Sequence, residues 1–162
     1  MSSTSATTDD SSSHDARRLA AWSDFLLAST HVQQLLERTL RTETGVSFAQ
    51  FSALDTLRAT GGSATVNQIG EALLYGTGSV TNLLKAMERD RLVTRARSMT
   101  DRRVVHVEAT PAGRAVHARA SELVLDIARQ EFTELLTDED LPAVAGFLAR
   151  MSERDSRPRR QP

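Results

Sequence analysis

The chain has 162 residues, 40% apolar and 25% charged, with a formal net charge of −1, which suits one globular domain with a sizeable core. It contains no cysteine, so disulfides, thiolate metal sites and cysteine redox chemistry are excluded. No apolar run approaches the ~18 residues that span a bilayer, and the first thirty residues lack a signal peptide's apolar core. A cytoplasmic protein with no membrane partner is expected.

Residues 1–14 are mostly Ser, Thr and Asp without apolar periodicity and read as a disordered segment. A long helix is expected over 15–45. Leu19, Trp22 and Leu26 form one stripe on it and Phe25, Val32, Leu36 and Leu40 another, a surface wider than one neighbouring helix covers. Part of it is therefore expected to face a second subunit. Gly45 ends this helix, and Ser47 with Gln50 has capping-box spacing for the next, whose buried face would be Phe48, Phe51, Leu54 and Leu57. Gly61-Gly62 closes it.

Thr65 and Gln68 repeat the capping-box spacing, and Val66, Ile69, Leu73 and Leu74 recur at helical steps. Tyr75-Gly76-Thr77-Gly78 breaks that pattern. Its glycines suit a turn, and Thr77 is placed to cap the following helix. Val80, Leu83, Leu84 and Met87 give the following helix an apolar face, and Ser79, Thr81, Asn82 and Lys85 a polar one. Two short helices so arranged fit a helix-turn-helix, in which the second helix enters the DNA major groove and Thr77, Ser79, Thr81, Asn82 and Lys85 meet base edges or phosphates. An ordinary helical hairpin with a solvated face fits the periodicity equally well.

The next stretch favours the first reading. Leu92–Arg97 and Val104–Glu108 are β-branched and partly alternating, so each reads as a strand, joined by a polar tip from Ser98 to Arg103. From Lys85 to Arg103 there are seven basic residues against three acids, a local net of +4 in a chain of −1. That is the electrostatic footprint of phosphate contact. Lys85 is the only lysine among twenty basic residues, so the preference for arginine in this hairpin reflects the chain's usage rather than a recognition device.

The four pieces Gly78-Ser79-Val80-Thr81, Leu92-Val93, Asp101-Arg102-Arg103 and Thr110-Pro111-Ala112-Gly113-Arg114, at this spacing, resemble the winged helix-turn-helix of the MarR family of bacterial regulators. The likeness is strongest over 47–114 and extends loosely over 16–151. It implies that Arg102 and Arg103 reach the minor groove with Asp101 holding them, alongside the wing residues Arg95 and Arg97. It also implies terminal helices that intertwine in a homodimer, and a crevice for a small aromatic or amphipathic effector, for which Trp22, His31, Phe48 and Phe51 are candidates. Plain core packing accounts for those four as well. One departure stands out: members of the family often carry glycine where this chain has Arg91. Either Asp90 takes the helix-ending conformation, or the helix ends differently.

Thr110-Pro111 opens a helix to about Leu136, and Thr137–Asp140 caps a last one bearing Leu141, Val144, Leu148 and Met151. The expected fold is mainly α with a small β-hairpin wing. It comprises a disordered segment (1–14), a dimerisation helix (15–45), a winged helix-turn-helix (46–110), C-terminal dimerisation helices (111–151) and a flexible basic tail (152–162). No nucleophile with its base, carboxylate pair or phosphate loop is present, and the four histidines show no metal-ligand spacing. Catalysis, metal and cofactor are therefore not expected. His31 and His117 are taken as polar helix edges. The expected function is a MarR-like DNA-binding repressor of a pseudo-palindromic operator, released by a small effector. The alternatives are a winged-helix protein-interaction module without a DNA role, or an activator.

Overall fold

The computed structural model describes residues 7–98 and 104–155, in two compact units, Met1–Leu123 and Val124–Pro162. The first unit opens with helix α1 (Thr7–Thr44) and continues with α2 (Phe48–Ala59), strand β1 (Ser63–Thr65), α3 (Val66–Leu73) and α4 (Thr77–Arg89). Strands β2 (Val93–Arg97) and β3 (Val105–Ala109) and the first turns of α5 (Pro111–Ala128) complete it. The three strands make one antiparallel sheet in the order β1-β3-β2. The mainly helical fold with a β-hairpin wing is thus as expected.

Helix α1 begins about eight residues before the expected start, so the disordered reading of 1–14 does not hold from Thr7 onward. Helix propagation is cooperative: once later residues set the register, each added residue costs only its own propensity. The basic tail from 156 lies outside the described residues, and α6 (Leu141–Asp155) runs four residues beyond the expected boundary at 151.

Both expected capping boxes form. The Ser47 hydroxyl accepts from the Gln50 amide at 3.1 Å while Gln50 Oε1 accepts from the Ser47 amide at 2.8 Å. Thr65 and Gln68 do the same at 3.2 and 2.8 Å. Each box satisfies two amides that a helix start would leave open. Leu40, Phe51, Leu54, Leu57, Ile69, Val80, Leu84 and Met87 are buried, so α2, α3 and α4 turn their apolar faces inward as their spacing requires. Burial of each such side chain contributes on the order of 1.5–3 kcal/mol.

The turn between α3 and α4 differs from expectation. Neither glycine in it has positive φ; Leu74 does, at φ 55° and ψ 32°, with its side chain 78% exposed. The Tyr75 amide donates to the Gly70 carbonyl at 3.0 Å and the Leu74 amide to Glu71 at 3.2 Å, the paired closure that ends a helix with a left-handed residue. These two bonds hold leucine where glycine is usual. Gly70 is closely packed instead: a Cβ there would lie 3.2 Å from Val80 Cγ2, which would have to give by a few tenths of an ångström. Gly76 occupies the N-cap position of α4, and Thr77 is its first helical residue.

Arg91, not Asp90, takes the left-handed conformation at the end of α4, with φ 59°. The Leu92 amide donates to Met87 at 2.9 Å and the Arg91 amide to Glu88 at 3.0 Å, with Leu92 and Met87 both buried, so the closure is complete without glycine.

In the second unit, α5 passes through a π-helical turn (Arg129–Thr133) where a continuous α-helix to Leu136 was expected. Thr137 accepts from the Asp140 amide at 3.2 Å ahead of α6.

Glu37 ties α1 to α2: its Oε2 accepts from the Phe48 amide and its Oε1 from Arg41 Nε, each at 2.8 Å. Partial burial pushes its carboxyl up, but the Phe48 amide and the Arg41 guanidinium outweigh that and hold it below its ordinary value of 4.5. A depressed folded-state value means stability that is present above 4.5 and lost as pH falls through the folded titration. Glu37→Gln should therefore lower the urea midpoint at neutral pH, with the gap to wild type closing in acid; a constant gap would remove the ionic contribution. Arg91→Gly relieves a left-handed non-glycine residue and should raise stability by about 0.5–1 kcal/mol in chemical denaturation. An unchanged or lower midpoint would show that the arginine is not strained.

Candidate nucleic-acid interface

Helix α4 presents two faces. Val80, Leu84 and Met87 are fully buried, which fixes the rotation of the helix and leaves Ser79, Asn82 and Lys85 exposed, with Thr81 half-buried. An added Cβ at Gly78 would meet nothing within 4 Å, so the front of the helix is open. Hydroxyl, amide and ammonium groups on one exposed helical face have the donor and acceptor repertoire that reads base edges and neutralises phosphates.

The hairpin β2–β3 stands beside α4, paired Val93 to Ala109 through Arg97 to Val105. Arg95 does not project freely from it. Its Nε donates to Glu88 Oε2 at 2.8 Å and its Nη2 bonds the same oxygen, so Arg95 ties the wing to the last turns of α4. Arg97 is exposed at the end of β2. The remaining wing candidates, Asp101, Arg102 and Arg103, lie outside the described residues.

Thr81 and Arg95 line one groove of about 350 Å³ with Thr65, Val66, Asn67, Val104 and Val105. The start of α3, the front half of α4 and the tip-side half of the wing therefore share a surface. Asn67 and Glu88 belong to this site and were not singled out from the sequence. Asn67 carries a weak signal, an amide in the first turn after a capping threonine. Glu88 carries none, because its partner sits seven residues away across a helix end.

Of the four effector candidates, Phe48 and Phe51 stack on each other with centroids 6.3 Å apart. Trp22 stacks on Phe25 with centroids 6.1 Å apart, and Phe51 is buried against His117 at 5.3 Å. Phe48 lines a cavity of about 580 Å³ between α1, α2 and the α3–α4 turn, with Gln33, Glu37, Ser52, Leu73 and Tyr75; Trp22, His31 and Phe51 do not line it. His117 is not a polar helix edge: it is 8% exposed, with Nε2 3.0 Å from Asp55 Oδ1. Among the described residues no group of three His, Cys, Asp or Glu side chains is placed to hold a metal, and no helix is long and apolar enough to cross a membrane.

A family model described as MarR family matches residues 44–104, the stretch from the end of α1 to the wing. The organic hydroperoxide resistance transcriptional regulator of Bacillus subtilis is 29% identical over 113 residues, covering 68% of this chain and 76% of the relative. The structure of Sco3205, a MarR family transcriptional regulator from Streptomyces coelicolor in complex with DNA, superposes with a TM-score of 0.81 at 19% identity, covering 89% of this chain and 90% of that one. That of Bordetella bronchiseptica BpsR, whose DNA binding is regulated by 6-hydroxynicotinic acid, gives 0.71 at 22% identity, covering 82% and 98%. The helix-turn-helix and the wing coincide with the matched segment, and over that segment the chain is similar to proteins of the MarR family.

Proposed function

We propose that the protein is a homodimeric repressor that binds a pseudo-palindromic operator and is released by a small aromatic or amphipathic effector. The observation that carries the DNA reading is the exposed row Ser79, Asn82 and Lys85 on a helix whose other face is locked into the core. In this reading Thr77, Ser79, Thr81, Asn82 and Lys85 meet the major groove, Arg97, Arg102 and Arg103 reach phosphates or the minor groove, and Asp101 steadies the tip. Arg95 acts through Glu88, setting the wing against the recognition helix.

Homodimerisation is supported within each unit separately. Leu19, Trp22, Leu26 and Leu27 are exposed on α1, and Leu125, Phe132, Leu135, Leu141 and Leu148 are exposed in the second unit. Apolar area of this extent is seldom left in water by a monomer. A two-fold dimer spaces its recognition helices by about one DNA turn, ~34–36 Å, which calls for a two-fold operator.

For the effector, the cavity beside Phe48 has the size of a small-ligand site and touches the α3–α4 turn, which orients the recognition helix. The B. subtilis relative's name concerns organic hydroperoxides; this chain has no cysteine, so no thiol is available for oxidation and an effector would act by binding.

The test is the salt dependence of operator binding, using DNA upstream of the coding sequence. Each neutralised phosphate contributes a slope of about −0.9 in log K against log salt. Arg102→Ala with Arg103→Ala should weaken binding and flatten the slope by about 1–2 units. Arg95→Met should weaken binding with the slope unchanged. Asn82→Ala should lower specific affinity by about 1–3 kcal/mol while leaving non-specific binding intact. An unchanged slope in the double variant removes the tip from the interface, and equal losses on all sequences confine Asn82 to the backbone.

A further inference from the structure

The cationic ridge counted from the sequence is partly neutralised inside the protein. Between Lys85 and Arg97 stand five basic residues and two acids, and each acid holds one arginine. Asp90 Oδ1 accepts from Arg89 Nε at 3.2 Å. Glu88 Oε2 accepts from Arg95 Nε at 2.8 Å and from Arg95 Nη2 as well. Lys85, Arg91 and Arg97 are exposed, with no carboxylate partner among the described residues. The two pairs differ in kind. Arg89 and Asp90 are chain neighbours at an exposed helix end, whereas Glu88 reaches across the end of α4 to a guanidinium side chain that is only 24% exposed.

Arg95 also stands at a particular place. It lines both the groove of about 350 Å³ shared with Asn67 and Thr81 and a second, of about 260 Å³, formed with Glu88, Ala96, Arg97 and Val105. A duplex that takes α4 in its major groove and the wing in the adjoining minor groove leads one strand over the surface between them, because a single sugar–phosphate backbone separates the two grooves. A free guanidinium at Arg95 would lie under that backbone on any sequence and neutralise a phosphate there. Bonded to Glu88, it brings no net charge. Were a phosphate to draw Arg95 away, the Glu88 carboxylate would be left beside the same phosphate, so the charge met by the strand would not change. Attraction to phosphate is blind to sequence and supplies nearly all non-specific affinity. A carboxylate that cancels one cation at the crossing point therefore acts on discrimination between sequences.

We propose that Glu88 is a specificity-determining residue: it withholds Arg95 from the DNA backbone and so lowers affinity for arbitrary duplexes, while the same bond sets the wing for the operator. This role rests on the DNA reading above. It differs in sign from a brace alone. Changing a residue that only braced the wing would weaken binding or spare it. Changing one that withholds a cation strengthens binding to arbitrary DNA and makes that binding more sensitive to salt.

The test is Glu88→Gln, which keeps the side-chain shape and removes the charge, in the full chain on a random-sequence duplex and on a fragment selected from random duplexes. On the random duplex the variant should bind more tightly than wild type at low salt and steepen the slope of log K against log salt by about 0.9, one added phosphate. That is an advantage about three- to fourfold larger at about 50 mM salt than at about 200 mM. On the selected fragment the gain should be smaller, so the ratio of specific to non-specific affinity falls. Adding Arg95→Met to Glu88→Gln should restore the wild-type slope, because no cation is then freed. Glu88→Ala, which leaves Arg95 no acceptor at position 88, should steepen the slope by the same amount and carries the test should Glu88→Gln fail to fold. An unchanged or shallower slope in both Glu88 variants, a steeper slope that survives Arg95→Met, or an equal gain on the two duplexes would overturn the role. Immobilised heparin, a polyanion with no bases, separates this role from the DNA reading: Glu88→Gln should elute at higher salt than wild type, and the double variant with wild type. Wild type that prefers no duplex, with that heparin order intact, would strike the DNA reading and leave Glu88 withholding Arg95 from anions.

Discussion

The backbone of Leu92 is the joint on which the helix-and-wing half of the first unit is hung. Its amide closes the end of α4 on Met87, its carbonyl accepts the Thr110 amide at 3.0 Å, and its buried side chain starts the wing. Thr110 adds a second tie, its hydroxyl donating to the Arg91 carbonyl at 2.7 Å while accepting from the Gly113 amide at 2.9 Å as the cap of α5. Gly113 must be glycine for this to close, because a Cβ there would sit 2.0 Å from the Leu92 carbonyl oxygen. Three elements therefore meet at one peptide group, and the angle between α4 and the wing follows from it.

That joint explains how strain is carried. Arg91 holds a left-handed conformation that costs an ordinary residue roughly 1–2 kcal/mol. It persists because the residues on either side are over-determined by the Met87, Thr110 and Gly113 contacts. Leu74 is a similar case at the end of α3, where the closure onto Gly70 and Glu71 fixes the turn. The C-terminal ends of α3 and α4 are thus both closed by non-glycine residues with positive φ, a position held by surrounding bonds rather than by local preference. The Glu88–Arg95 ion pair then adds a side-chain strut between helix and wing.

Much of this was legible in the sequence, for identifiable reasons. Ser47 with Gln50 and Thr65 with Gln68 announce helix starts because the reciprocal bonds need those types at that spacing. Val80, Leu84 and Met87 mark the buried face of α4, and the polar residues opposite follow. What escaped was set by long-range contact. A three-residue strand such as β1 has too few residues to show alternation and exists because β3 offers it an edge. The left-handed residues were misassigned because glycine is sufficient for that conformation and not required. His117 looked like a polar edge because Asp55, the group that lets it be buried, lies 62 positions away. The aromatic effector candidates pack with their near neighbours, as side chains at helical spacing do: Trp22 with Phe25 and Phe48 with Phe51.

The central claim is that two copies of one rigid helix-and-wing unit are presented to a DNA duplex. Hydroxyl-radical footprinting on a binding fragment selected from random duplexes tests it most directly. The account predicts two protected patches related by two-fold symmetry, centred about one helical turn apart, with weaker protection flanking them where the wings reach. A single asymmetric patch, or selection that returns no preferred sequence, would contradict it.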